Sequence, residues 1–186
     1  PNQLWVSDIT YIDIANDSNY LHLVTDAYSH KIIGWCLAES LSARHTLEAL
    51  RMAIAQTNHD DLSGLTHHSD RGIQYCCNAY VDELEAHHIS ISMTEDYKPT
   101  DNAIAERVNG IIKQELIYRR KQFNSYEEAY DAINRFITFY NDSRPHMSIG
   151  YQTPTVAHQQ EGTQQRHWKS YYERCQQKQD NKCLSI

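Results

Sequence analysis

Asp70 closes the stretch Leu65-Thr66-His67-His68-Ser69-Asp70, and Arg71-Gly72 follows it directly. His, Ser and Asp could all bind a metal, and His could act as a base. An Asx turn would use Ser, Asp and Gly here with no chemistry at all. Two further carboxylates pose the same choice. Asp8 interrupts the β-prone run Trp5-Val6-Ser7-Asp8-Ile9-Thr10-Tyr11, where a charge needs either a partner or an edge that faces water. Glu106 lies in an apolar segment of helical period. With Ile104 at zero on a helical wheel, Val108, Ile111, Ile112 and Leu116 form one stripe, while Glu106 falls near about 200° and Lys113 near about 180°. Both therefore belong to a polar face flanked by Asn102 and Asn109. Glu106 alone reads equally as a solvated helix residue.

The elements that must position these groups follow from the pattern. Residues 4–14, 20–25 and 31–37 are rich in β-branched, aromatic and aliphatic side chains, and turn-forming residues at 16–19 and 26–30 separate them. They predict two antiparallel hairpins. Residues 42–57 switch to helical period, with Leu47, Leu50 and Ile54 on one side. A short strand at 65–69, a helix at 73–87, a strand at 89–93, a loop at 97–101 containing Pro99, and helices at 102–120 and 125–140 follow. Ser125-x-x-Glu128 has the form of a capping box. The stripe Tyr126, Ala129, Tyr130, Ile133, Phe136, Ile137 and Tyr140 reads as core. The order β-β-β-α-β-α-β-α-α specifies an α/β fold, a mixed sheet with helices on its faces. A domain at 1–157 and a glutamine-rich polar tail at 158–186 are expected.

Several motifs, in this order, resemble the catalytic core of DDE transposases and retroviral integrases, and most closely that of bacterial insertion-sequence transposases. They are Trp5-x-x-Asp8-Ile9-Thr10-Tyr11-Ile12, then His68-Ser69-Asp70-Arg71-Gly72-x-x-Tyr75, then Asp101-Asn102-Ala103-x-Ala105-Glu106-Arg107-x-Asn109. Tyr140-Asn141-x-x-Arg144-x-His146 and Thr153-Pro154 follow. Thirty-five residues separate Asp70 from Glu106, and Lys113 follows Glu106 by seven, as in that family. The resemblance implies a ribonuclease H-like mixed five-stranded sheet with helices on both faces. It implies that Asp8, Asp70 and Glu106 are catalytic and hold two Mg2+ ions, for which Mn2+ substitutes. It implies cleavage of element ends and strand transfer into target DNA, with Lys113, Arg107, Asn109 and Arg71 as DNA contacts. Self-association into a synaptic multimer and a bacterial, nucleoid-associated cytoplasmic location also follow from it. His67 and His68 are not expected as ligands, because magnesium prefers oxygen to imidazole; His68 is expected to pack against or orient Asp70. Asp13 falls on the opposite strand face from Asp8, Asp26 reads as a turn cap, and Asp101 as a helix N-cap.

The whole chain bounds these readings. It is 40% hydrophobic and 22% charged, as soluble domains are, and has no apolar run long enough to span a membrane. Five cysteines, two of them adjacent and none in a C-x-x-C pair, exclude a zinc knuckle and a disulfide framework and fit a reducing compartment. The start at Pro1-Asn2-Gln3 shows no signal peptide and reads as a piece of something longer. The formal charge of −7 opposes nucleic-acid binding unless positive charge is local. It is local between residues 98 and 121, where six basic residues face three acidic ones. A nuclease that only hydrolyses would need the same three carboxylates, and a strand-joining assay separates it from a transposase. A non-catalytic DNA-binding remnant is the other alternative, and an intact triad argues against it.

Overall fold

The computed structural model describes residues 1–57, 62–94, 102–120 and 122–164. The expected loop at 97–101, Asp101 as an N-cap and the tail beyond 164 lie outside the described residues. A five-stranded sheet in the order β3-β2-β1-β4-β5 forms the centre. β1 (Leu4–Ile14), β2 (Asp17–Asp26) and β3 (Ile32–Ala38) are joined antiparallel, and β4 (Thr66–Ser69) and β5 (Ser90–Met93) extend β1 in parallel. The expected mixed sheet is present, and the period of two along its strands sorts side chains to two cores. Ile12, Ile14, Leu21, Leu23, Trp35 and Leu37 pack under one set of helices. Trp5, Val24 and Ile33 pack under the other.

α1 (Ala43–Ala55) and α3 (Asn78–Ala86) cover the second face, and α4 (Ala103–Ile112) and α5 (Tyr126–Asp142) the first. α1 lies so close to β3 that a Cβ on Gly34 would stand 2.0 Å from the Ala49 carbonyl oxygen. Only glycine permits that approach. α5 starts as expected: the Ser125 hydroxyl accepts from the Glu128 amide at 3.2 Å. The Glu128 carboxylate does not close the box on Ser125 but reaches one residue further, to the amide of Asn124 at 2.9 Å. The core stripe of α5 turns further toward Ala132 and Asn141, and Tyr130 is left 43% exposed.

Two helices depart from the sequence reading. The helix expected over 73–87 breaks into α2 (Ile73–Cys76) and α3, because Cys77 adopts an extended ψ of 146°. The helix expected over 102–120 is α-helical only to Ile112; Lys113–Ile117 forms a π-helical turn, with the Tyr118 amide bonded to the Lys113 carbonyl at 2.8 Å. After α5 come a 3₁₀ turn (Met147–Ile149) and a single helical turn, α6 (Pro154–Ala157), capped by the Thr153 hydroxyl.

Candidate active site

Asp8 lies on the even-numbered side of β1, the side of Ile12 and Ile14 and of α4. Asp13, on the odd side, is exposed on the other face, as alternation predicts. Val6 pairs with His68 across the parallel β1–β4 ladder. Continuing that register two residues past His68, one residue beyond the end of β4, sets Asp70 beside Asp8, on strands about 4.8 Å apart. Asp70 also makes the Asx turn weighed above: its Oδ1 accepts from the Gly72 amide at 2.9 Å. The turn and the functional reading are therefore compatible, since the turn fixes the carboxylate at the carboxyl end of the strand.

Glu106 is brought in by its helix. Asn102, Glu106 and Asn109 are spaced i, i+4, i+7, which puts them on one face of α4. Both asparagines grip β1. Asn102 Nδ2 donates to the Ser7 carbonyl at 3.1 Å, and Asn109 Nδ2 donates to Asp8 Oδ2 at 2.6 Å. Glu106, between them, must face the same stretch of strand. The buried stripe of α4 is Ala105, Val108, Asn109 and Ile112, while Ile104 and Ile111 are only half-buried. The buried stripe is thus rotated by about 45° from the one expected, far enough to take Asn109 inside. The polar-face position given to Asn109 is corrected accordingly: it is 6% exposed and its Nδ2 is bonded to Asp8.

Asp70 and Glu106 both lie near enough to Asp8 for their charges to act on it. Burial raises the pKa of Asp8 above its usual 3.8; bonds from the Ile9 amide and Asn109 oppose this, and the charges of Asp70 and Glu106 add to the rise. Asp70 and Glu106 are themselves exposed, so Asp8 is the inner member of the group. Tyr75 is fully buried nearby, and its hydroxyl is raised well above the ordinary range by burial, by Tyr80 and by the same two aspartates. A set made only of carboxylate oxygens fits a hard divalent cation. The Asn102 and Asn109 side-chain oxygens, buried without a hydrogen-bond partner, add oxygen acceptors beside it.

The histidines have other work. His67 is buried and its Nε2 lies 2.8 Å from the Ser7 hydroxyl and 2.9 Å from the Tyr80 hydroxyl; burial lowers its pKa to about 3. His68 Nδ1 is paired with the Ser92 hydroxyl on β5 at 2.9 Å, so the bond it makes runs to the neighbouring strand and not to Asp70. Among the other expected DNA contacts, Arg71 and Arg107 are exposed and Lys113 is half-buried at the start of the π turn. Burial is the main influence on the pKa of His30, Tyr140 and His146, and Arg107 stands close enough for its charge to act on each as well. The motif ending in Arg144 and His146 is a fastening. Asn141 brackets the Ile32 amide and carbonyl at 3.0 and 2.9 Å, Arg144 forks onto Glu115 of the π turn at 2.6 Å, and the ring of His146 meets Tyr140 edge-on. The inward asparagines went unread as anchors, although their seven-residue spacing around Glu106 carried that information.

No helix among the described residues is long and apolar enough to cross a membrane. Two family models described as integrase core domain match residues 1–99 and 87–154. A Mycobacterium tuberculosis protein named for the transposase of insertion sequence element IS986/IS6110 is 35% identical over 81% of this chain and 55% of its own length. The transposase of element IS629 from Shigella sonnei is 32% identical over 84% of the chain and 52% of its length. The chain thus spans about half the length of these curated relatives. Among solved structures, the catalytic core domain of HTLV-2 integrase in complex with magnesium superposes with a TM-score of 0.65 at 21% identity, over 85% of this chain and 97% of that one. The simian T-cell lymphotropic virus intasome, in complex with a PP2A regulatory subunit, gives 0.72 at 18% identity over 92% and 59%. The fold is that of retroviral integrase cores, ribonuclease H-like.

Proposed function

From the premise that the chain belongs to the integrase core domain family, we propose that it is the catalytic domain, over residues 1–157, of an insertion-sequence transposase. Its activity is metal-dependent cleavage at element ends and transfer of the freed strand into target DNA. The observation that carries this reading is the inner carboxylate Asp8, bonded by Asn109 of the helix that bears Glu106 and raised chiefly by burial, with the charges of Asp70 and Glu106 adding to the rise. Asp8, Asp70 and Glu106 would hold two magnesium ions, with manganese as a substitute. When bound, such ions activate an oxygen nucleophile and stabilise the departing 3′-oxygen. The protein's own part would be to hold these carboxylates in place for the ions. Asn109 holds Asp8 Oδ2 so that the inner carboxylate does not turn away, and the Gly72 amide holds Asp70 in the same way. Arg71, Arg107 and Lys113 would meet DNA phosphates, and self-association would bring two element ends together. The protein would act at the nucleoid in the bacterial cytoplasm.

The test uses the full-length transposase that carries this chain, an element-end duplex labelled on the transferred strand, and a supercoiled target. Joined product should require Mg2+ or Mn2+ and vanish in Asp70→Asn and Glu106→Gln, while both variants still bind DNA. Cleavage without joining in the intact protein would reduce it to a hydrolase. Full joining by Asp70→Asn would overturn the site.

A further inference from the structure

On the opposite face of the sheet, α1 and β3 bring together a second group of ligand-type side chains. One ligand atom each from Cys36 on β3 and from His45 and Glu48 on α1 lie within 4.8 Å of one another. The thiol donates to Glu48 Oε2 at 3.3 Å, and His45 Nδ1 stands 3.6 Å from the same oxygen. Ligand atoms around a tetrahedral zinc, bonded at about 2.0–2.3 Å, are separated by about 3.5 Å. The spacing found is already close to that. Behind the group stands His22, the direct cross-strand neighbour of Cys36 in the β2–β3 ladder. It is fully buried, its ring lies 6.1 Å from that of His45, and its Nδ1 is held by the Thr46 hydroxyl at 2.9 Å. Its Nε2 has no hydrogen-bond partner. In the tautomer whose Nδ1–H donates to Thr46, Nε2 presents its lone pair, the arrangement of a metal-ligating histidine; the Ser40 backbone is another polar group near this ring.

We propose that Cys36, His45 and Glu48 form a binding site for a zinc-class divalent cation, with the unused nitrogen of His22 on its inner side and water on its outer side. The mixture of thiolate, imidazole and carboxylate selects zinc or cobalt over magnesium, which takes oxygen. The site is therefore chemically distinct from the carboxylate group on the other face, and the proposal does not rest on the catalytic reading. Binding replaces the thiol proton, which leaves to solvent, and frees Glu48 from the Cys36 hydrogen bond. Arg44 occupies the other carboxylate oxygen, Oε1, at 3.0 Å and does not block Oε2. A cation here would clamp the edge strand β3 to α1.

The experiment is titration of the metal-free chain with Co2+ and then Zn2+, with Cys76 and Cys77 changed to serine to remove the adjacent thiols. One equivalent of cobalt should give a thiolate-to-metal charge-transfer band, displaced by zinc and unaffected by millimolar magnesium. Cys36→Ser should abolish the band. His45→Ala and the surface change Glu48→Gln should each weaken zinc at least about tenfold. Asp70→Asn should leave zinc affinity within about twofold, which separates this site from the catalytic one. Absence of the band in the parent protein, or its survival in Cys36→Ser, overturns the proposal.

Discussion

Asp8 is the residue on which the candidate site turns, and its charge has a measurable cost. Its folded pKa lies above the unfolded value, chiefly through burial. Such a group contributes stability that is fully present below the unfolded value near 3.8 and is lost as pH rises through the folded one. In metal-free protein at neutral pH, Asp8→Asn should therefore raise the melting temperature. The gain should disappear near pH 3, where the wild-type carboxyl is protonated as well. A variant no more stable than wild type at pH 7 would show that the crowding of charge is not real. Metal should reverse the order: at a hundredfold excess over its dissociation constant, Mg2+ or Mn2+ should stabilise the wild type by about 2.7 kcal/mol, and Asp70→Asn should lose that shift. Asn109 offers a separate check. Its bond to Asp8 is charge-assisted, so Asn109→Ala should cost about 1.5–3 kcal/mol and weaken metal binding, as read by denaturant unfolding with and without Mg2+. Motif spacing singled out the three candidate carboxylates. The partner of Asp8 was not legible, because an asparagine on a helix looks polar until the rotation of that helix on its strand is known.

At the scale of elements, strands and helices were legible wherever composition and period agreed, as in β1 to β3, α1 and α5. The misses share a cause, since hydrogen-bond register inside a helix leaves little trace in apolar period. Cys77 breaks a segment whose side chains continue the helical pattern, and the π turn after Ile112 inserts one extra residue per turn without a proline or glycine to announce it. That π turn is pinned from outside. Arg144 Nη2 and Nε reach the Glu115 carboxylate at 2.6 and 2.9 Å, and the guanidinium holds the pKa of Glu115 below the usual carboxylate range. Arg144→Ala should destabilise by about 1–2 kcal/mol in chemical denaturation, and Arg144→Lys should recover only part, because lysine cannot make the two-pronged contact. If lysine restores full stability, the fork is incidental. Lys113 begins the same turn. In the full-length protein, Lys113→Ala should leave the metal-induced shift intact while lowering DNA affinity and flattening its salt dependence by about one phosphate contact. An unchanged salt slope would remove Lys113 from the DNA path.

For the whole molecule, the two ends of the described chain meet at one buried charge. Asp26 was read as a turn cap, and it is one: its Oδ1 accepts from the Ser29 amide and hydroxyl at 2.8 and 2.7 Å. It is also fully buried and accepts from the Asn2 amide at 2.7 Å, while His158, just after α6, stands 3.6 Å away and shares the Ser29 hydroxyl. No local pattern could reveal this, since the partners come from residues 2 and 158. Burial alone would raise the Asp26 pKa; the nearby His158 and the bonds from Ser29 and Asn2 outweigh it and hold the group at about 2. A depressed carboxylate contributes stability that is present above its unfolded value of 3.8 and is lost as pH falls through the folded value of about 2. The difference corresponds to about 2–3 kcal/mol at neutral pH. Urea unfolding of the wild type should weaken steadily from about pH 5 to pH 2. Asp26→Asn should be less stable by at least that amount at pH 7, because it removes the charge and turns a donor toward the Ser29 and Asn2 amides. Its stability should also vary less across the acid range than that of the wild type. His158→Ala should reproduce part of the loss while leaving the Asn2 and Ser29 bonds in place. If wild type and Asp26→Asn lose stability in parallel between pH 5 and pH 2, Asp26 is not the group that ties the N-terminal segment and α6 to the sheet.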